Sequence, residues 1–126
     1  MEIKKYFVIG NPIEHSLSPK LHNYWLKKNN IDAEYYKLRL EEDEIKSFIQ
    51  KIKQQKIVGC NITVPFKKTV IPFLDNLSLE AEQTQSVNTI IFENGNLVGH
   101  NTELANLVFD SQAARFFQLM EICVDN

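Results

Sequence analysis

The chain has 126 residues, 44% hydrophobic and 24% charged, with a formal net charge of −2. This length and balance predict one compact domain with a sizeable core. The slight acidity argues against nucleic acid as the main partner, and no apolar run approaches the roughly 20 residues of a membrane span.

The predicted elements alternate along the chain. Residues 6–9 form a short apolar strand. The loop behind it, Gly10-Asn-Pro-Ile-Glu-His-Ser-Leu-Ser-Pro19, sits where α/β proteins place ligand sites. Ser16 and Ser18 can face the same way on an extended loop and fork a carboxylate or a diol. Pro19 suits the first turn of a helix over 19–29, with Ser18 as its N-cap, and the helix N–H groups add to an anion site. Leu21, Trp25 and Leu26 line one side of that helix, His22 packs or hydrogen-bonds on it, and Asn29-Asn30 end it.

Residues 34–40 alternate as a strand with Tyr36, Leu38 and Leu40 on one face. A second helix over 41–54 starts acidic, ends lysine-rich and spaces Ile45, Phe48, Ile49 and Ile52 for one apolar face. Residues 57–64 form a β-branched central strand. Pro65 ends it and opens a short helix through Val70, which Pro72 limits, and Ser78 caps another over 79–84. Strands over 87–92 and 96–99 flank Asn94-Gly95, a two-residue hairpin signal. This order implies a single α/β domain: three layers, α/β/α, with a mostly parallel mixed sheet carrying an antiparallel hairpin. Residues 1–103 make that domain, and 104–126 form a helical tail whose apolar surface packs on it or meets something else.

Three further stretches carry chemistry. In Gly59-Cys-Asn-Ile-Thr-Val-Pro-Phe-Lys-Lys68 the strand presents Asn61 and Thr63 on one face, and Lys67 lies just past the strand end. Lys67 is either a proton-transfer group or a solvated lysine at a helix start. In Ser86-Val-Asn-Thr-Ile90, Asn88 offers a donor and an acceptor that suit a vicinal diol, or else serves a turn before the strand. In Gly99-His-Asn-Thr-Glu103, the acid orients a hydroxyl, shares a proton with Lys67, or caps the next helix. His15, His22 and His100 lack ligand-like spacing, so no metal site is expected. Cys60 and Cys123 suggest two lone thiols in a reducing compartment. Without a signal-peptide pattern the expected location is cytoplasmic. No G-x-G-x-x-G or P-loop pattern occurs, so no nucleotide-binding unit is visible.

Taken together and in this order, the four stretches resemble the N-terminal, substrate-binding domain of shikimate dehydrogenase. The likeness covers about residues 3–103 and rests on Gly10-Asn-Pro-Ile-x-His-Ser-x-Ser-Pro19, Asn61-x-Thr-Val-Pro-Phe-Lys67, Val87-Asn-Thr89 and Asn101-Thr102-acid. Enzymes of that family reduce 3-dehydroshikimate to shikimate with NADPH. The resemblance implies that Ser16 and Ser18 hold the substrate carboxylate and that Asn61, Thr63 and Asn88 bind ring hydroxyls. It also implies that Lys67, paired with Glu103 beside Thr102, is the catalytic proton-transfer residue.

The chain departs from the family pattern in three places. Glu103 replaces an Asp, Gln85-Ser86 replaces Gly-Ala, and Asn106 stands where a Gly is usual. The family continues into an NADP-binding Rossmann domain, whereas this sequence stops at Asn126. The expectation is therefore a truncated catalytic half, not competent for hydride transfer alone, inactive or completed by a separate NADP-binding chain. The alternatives are a non-catalytic shikimate- or quinate-binding module and a folded relic, for instance a homodimer burying the terminal helix.

Overall fold

Along the first strand, β1 (Lys4–Gly10), side chains go alternately to opposite faces. Phe7 and Ile9 join one apolar cluster, while Tyr6 and Val8 join another. The computed structural model describes residues 4–14, 16 and 18–101, with the backbone alone for 18, 21 and 25. After β1 come α1 (Ser18–Lys28), β2 (Ala33–Arg39), α2 (Ile45–Lys53), β3 (Gly59–Ile62), β4 (Asn76–Leu77), α3 (Leu79–Thr84), β5 (Thr89–Glu93) and β6 (Asn96–His100). The sheet order is β2-β1-β3-β5-β6-β4. β1 pairs in parallel with β2 and β3, and β4 with β6. β5 is antiparallel to both neighbours. The sheet is thus mostly parallel, with the expected hairpin at β5–β6.

The larger cluster lies under α2. Ile45, Phe48, Ile49 and Ile52 are buried there against Ile9, Cys60, Ile62 and Ile90. Glu44 accepts a hydrogen bond from the Glu41 amide at 2.8 Å, and one 3-10 turn, Glu42–Glu44, leads into the helix. The α-helix itself therefore starts later than residue 41. On the opposite face Leu26 of α1 packs with Val8, Ile13, Tyr35 and Ile91 in a smaller cluster. Helix, sheet and helix form the three expected layers.

Local signals act where expected. Asn30 and Asn94 adopt φ of 55° and 50°, and Gly95 a φ of 82°, so Asn94-Gly95 makes the hairpin turn. Ser78 caps α3 by accepting from Ala81 N at 3.1 Å. The central strand is shorter than 57–64, yet its ladder continues beyond Gly59–Ile62, with Val58 N donating to Lys5 O and Thr63 N to Ile9 O.

The helix expected over 65–70 is not formed. That stretch is a run of turns in which Phe66 N bonds Thr63 O and Val70 N bonds Phe66 O. Pro72 lies within the following 3-10 turn, Ile71–Phe73, at a position that needs no N–H partner. The two-residue edge strand β4 has no periodic signature in the sequence. The expectations for the 104–126 tail, and for the side chains of Leu21 and Trp25, lie outside the described residues.

Candidate functional site

The register brings the four chemical stretches to one edge of the sheet. Ile9 pairs with Ile62, Asn61 with Thr89, and Thr89 with His100. The loop after β1, the turn after β3, the entry to β5 and the exit from β6 therefore all meet at the C-terminal ends of the parallel strands. That is the usual ligand position in open α/β sheets.

The first loop is tied down from several sides. Asn11 N donates to Val64 O at 3.1 Å, and the Asn11 side chain donates to Leu40 O and accepts from Arg39 Nε. Lys37 Nζ donates to Glu14 O at 2.7 Å, Ile13 is buried, and Ser16 N donates to Ile13 O at 3.0 Å. Ser16 is half-buried on this loop, and Ser18 is the first residue of α1, one position earlier than the sequence suggests. The Ser18 hydroxyl lies outside the described residues. Both motif loops turn through a cis X-Pro bond, Asn11-Pro12 and Val64-Pro65.

The two loops touch at Gly10. A Cβ there would strike Thr63 Cγ2 and come within 3.0 Å of Val64 O and 3.3 Å of Ile13 Cδ1. Gly10→Ala is accordingly expected to cost about 1–3 kcal/mol through overpacking. Adding Thr63→Ser, which removes the clashing methyl, should recover part of that loss. Urea midpoints of the single and double variants check this, and no recovery would move the clash to the Val64 carbonyl.

Past β3, the described residues place an amide network on the α1 face. Asn61 is 2% exposed and Asn88 1%. Tyr35 OH donates to Asn61 Oδ1 at 2.7 Å, and Asn61 Nδ2 donates to Thr89 Oγ1 at 3.1 Å and to Asn88 O at 3.3 Å. Thr89 Oγ1 donates in turn to Asn88 Oδ1 at 3.0 Å. Both amide hydrogens of Asn61 are thus directed at protein groups, and its carbonyl oxygen, which accepts from Tyr35, is the atom with a lone pair to spare. Thr63 is half-buried. Lys67 is half-buried on the turn after Phe66, and its carbonyl accepts from Val87 N at 2.8 Å, which brings that turn against Asn88. Asn101 is buried and donates to Thr84 Oγ1. Thr102 and Glu103 lie outside the described residues.

One buried participant was missed from the sequence, and a second packs as expected. Tyr35 is 2% exposed, on the face opposite Tyr36 and Leu38. The alternation of β2 was the available signal, but it draws attention to the apolar side. His22, also 2% exposed, stacks on the Tyr35 ring at a centroid distance of 4.2 Å. Its Nε2 has no hydrogen-bond partner among the described residues, and burial pulls its pKa down from 6.5 to about 4. Asn23 completes this side by pairing its amide with both the N–H and the C=O of Tyr35, each at 2.8 Å.

Cys60 is fully enclosed, and burial pushes its thiol pKa up, which makes it a packing residue and not a nucleophile. Among the described residues no group of three or more His, Cys, Asp or Glu could hold a metal ion. Among the same residues no helix is long and apolar enough to cross a membrane.

Residues 8–90 match the family described as the shikimate dehydrogenase substrate binding domain. A shikimate dehydrogenase (NADP(+)) of Pelagibacter ubique is 58% identical over 101 residues, which span 80% of this chain and 38% of that relative. The corresponding protein of Pyrococcus furiosus is 44% identical over 102 residues, 81% of this chain and 37% of that relative. Two crystal structures align closely. The shikimate dehydrogenase of Aquifex aeolicus gives a TM-score of 0.74 at 39% identity, over 79% of this chain and 38% of its own. A shikimate 5-dehydrogenase of Listeria monocytogenes, in complex with shikimate and NAD, gives 0.74 at 34% identity, over 79% of this chain and 34% of its own. The chain therefore spans little more than a third of the length of these relatives.

Proposed function

The chain belongs to the shikimate dehydrogenase substrate-binding domain family, and from that premise we propose that it binds shikimate or 3-dehydroshikimate as the substrate-holding part of an NADP-dependent dehydrogenase. The observation that carries this reading is the register that gathers the four motif stretches at one sheet edge. In this reading Ser16 and Ser18 hold the carboxylate beside the start of α1, where helix N–H groups favour an anion. Thr63, Asn88 and the Asn61 carbonyl oxygen meet the ring oxygens. Lys67, with Glu103 and Thr102, holds and passes the proton at the ligand oxygen that alternates between hydroxyl and carbonyl.

The described residues do not fit a dinucleotide. The four glycines stand at 10, 59, 95 and 99, and none opens a glycine-rich turn between a strand and a helix. No hydride step is assigned to them, and the nucleotide is held by another part or by a separate NADP-binding chain. The role of this domain is to bind, orient and move a proton.

A titration of the isotope-labelled chain with shikimate tests the reading. Selective shifts at Ser16, Ser18, Asn61, Lys67 and Asn88 are expected. A folded spectrum that shikimate leaves unchanged would sink it, and a parallel titration with quinate ranks the two ring acids. Replacing Ser16 and Ser18 together by alanine should weaken binding by at least about 1–2 kcal/mol, as for hydrogen bonds to a charged group. Unchanged affinity in that variant would put the carboxylate elsewhere.

A further inference from the structure

One backbone carbonyl sets the polarity of the buried amides. Asn88 O already accepts from Ile62 N at 2.8 Å and lies 3.3 Å from the Asn61 side-chain nitrogen. A carbonyl oxygen only accepts, so the NH2 of Asn61 must face it. The reversed amide would set two acceptors against each other where Asn61 is 2% exposed and water cannot relieve them. Asn61 Oδ1 therefore points at Tyr35, whose hydroxyl is obliged to donate. The second Asn61 hydrogen goes to Thr89 Oγ1 and makes that oxygen an acceptor. Thr89 is fully buried, and among the described residues its own proton has Asn88 Oδ1 as acceptor. A reversed Asn88 amide would orphan that proton. The Asn88 nitrogen accordingly lies on the side away from Thr89.

We propose that Tyr35 and Thr89 are positioning residues that lock the Asn61 and Asn88 amides, so that each amide is held in one fixed orientation at the ligand end of the sheet. This rests on the ligand reading above. It adds that both amides are oriented by the protein before any ligand arrives. Tyr35 is itself clamped, by the His22 ring on its face and the Asn23 amide on its backbone, so the chain of donors begins from a fixed point.

The test uses the full chain labelled with 15N and 13C. A scalar coupling across the hydrogen bond from the Asn61 side-chain nitrogen to the Asn88 carbonyl carbon is expected in the absence of any ligand. Thr89→Val should displace the Asn88 side-chain amide signals and weaken shikimate binding about tenfold, and Thr89→Ser should restore both. Tyr35→Phe should displace the Asn61 signals in the same way, and it carries the comparison if Thr89→Val fails to fold. No coupling, wild-type Asn88 signals in the valine variant, or no rescue by serine would each overturn the lock. Coupling in the wild-type chain and displaced signals in the variants, with no shikimate binding by the wild type, would support the lock and remove the ligand reading instead.

Discussion

Ile49→Ala is expected to lower the free energy of unfolding by about 2–5 kcal/mol, the range for truncating a large aliphatic side chain in a packed core. Ile49 is completely buried, in the middle of the α2 face and inside the larger apolar cluster. The surrounding side chains come from β1, β3 and β5 as well as α2, so the site cannot collapse without moving several elements. A loss of this size is a large part of the roughly 5–15 kcal/mol that usually holds a domain folded. Urea unfolding would show it as a lower midpoint with an unchanged slope. The proposed affinity for shikimate, measured where the variant is still folded, should stay as it was. The α2 cluster and the amide network lie on opposite faces of the sheet. A parallel fall in affinity would show that the two faces are not separable.

Acid is expected to weaken the protein through His22. Its folded pKa of about 4 lies below the ordinary 6.5, so the unfolded chain binds the proton more readily. The stability from keeping His22 neutral is therefore complete above about pH 6.5. It falls as the pH drops through that value and is lost by about pH 4. At about 1.4 kcal/mol per pKa unit the total is roughly 3 kcal/mol. The physical cost is that of charging an imidazole buried against Tyr35, with no acceptor for Nε2 among the described residues. His22→Leu should flatten this limb of the stability profile between pH 6.5 and 4 relative to wild type, whatever its effect on absolute stability. An identical slope in the variant would assign the acid loss to other groups.

The fold was legible in the sequence where one local rule decides. Ile45, Phe48, Ile49 and Ile52 follow the helical period and are all buried. Asn94-Gly95 needs two positive φ angles, and these two residue types supply them. The strand-loop alternation placed each chemical stretch at an element boundary, and a parallel sheet has little choice but to bring such boundaries to one edge. The turns over 65–70 were not legible. Hydrogen bonds from a helix start and from a chain of separate turns suit the same residues, and the packing of Phe66 and Val70 into the α2 cluster chooses between them.

By itself the sequence determined the layers, the mostly parallel sheet with its hairpin, and the family, because periodicity, turn chemistry and motif order are properties of neighbours along the chain. The tertiary structure alone decided how the polar groups face. Tyr35 and Asn61 are 26 residues apart, and Asn61 and Asn88 27. The atom that settles their orientation is a backbone carbonyl, which every residue carries and no sequence pattern marks. Whether an amide offers its oxygen or its nitrogen depends on what the fold sets opposite it. Inside a buried network a wrong choice leaves a donor or an acceptor unpaired, at a cost that water cannot offset.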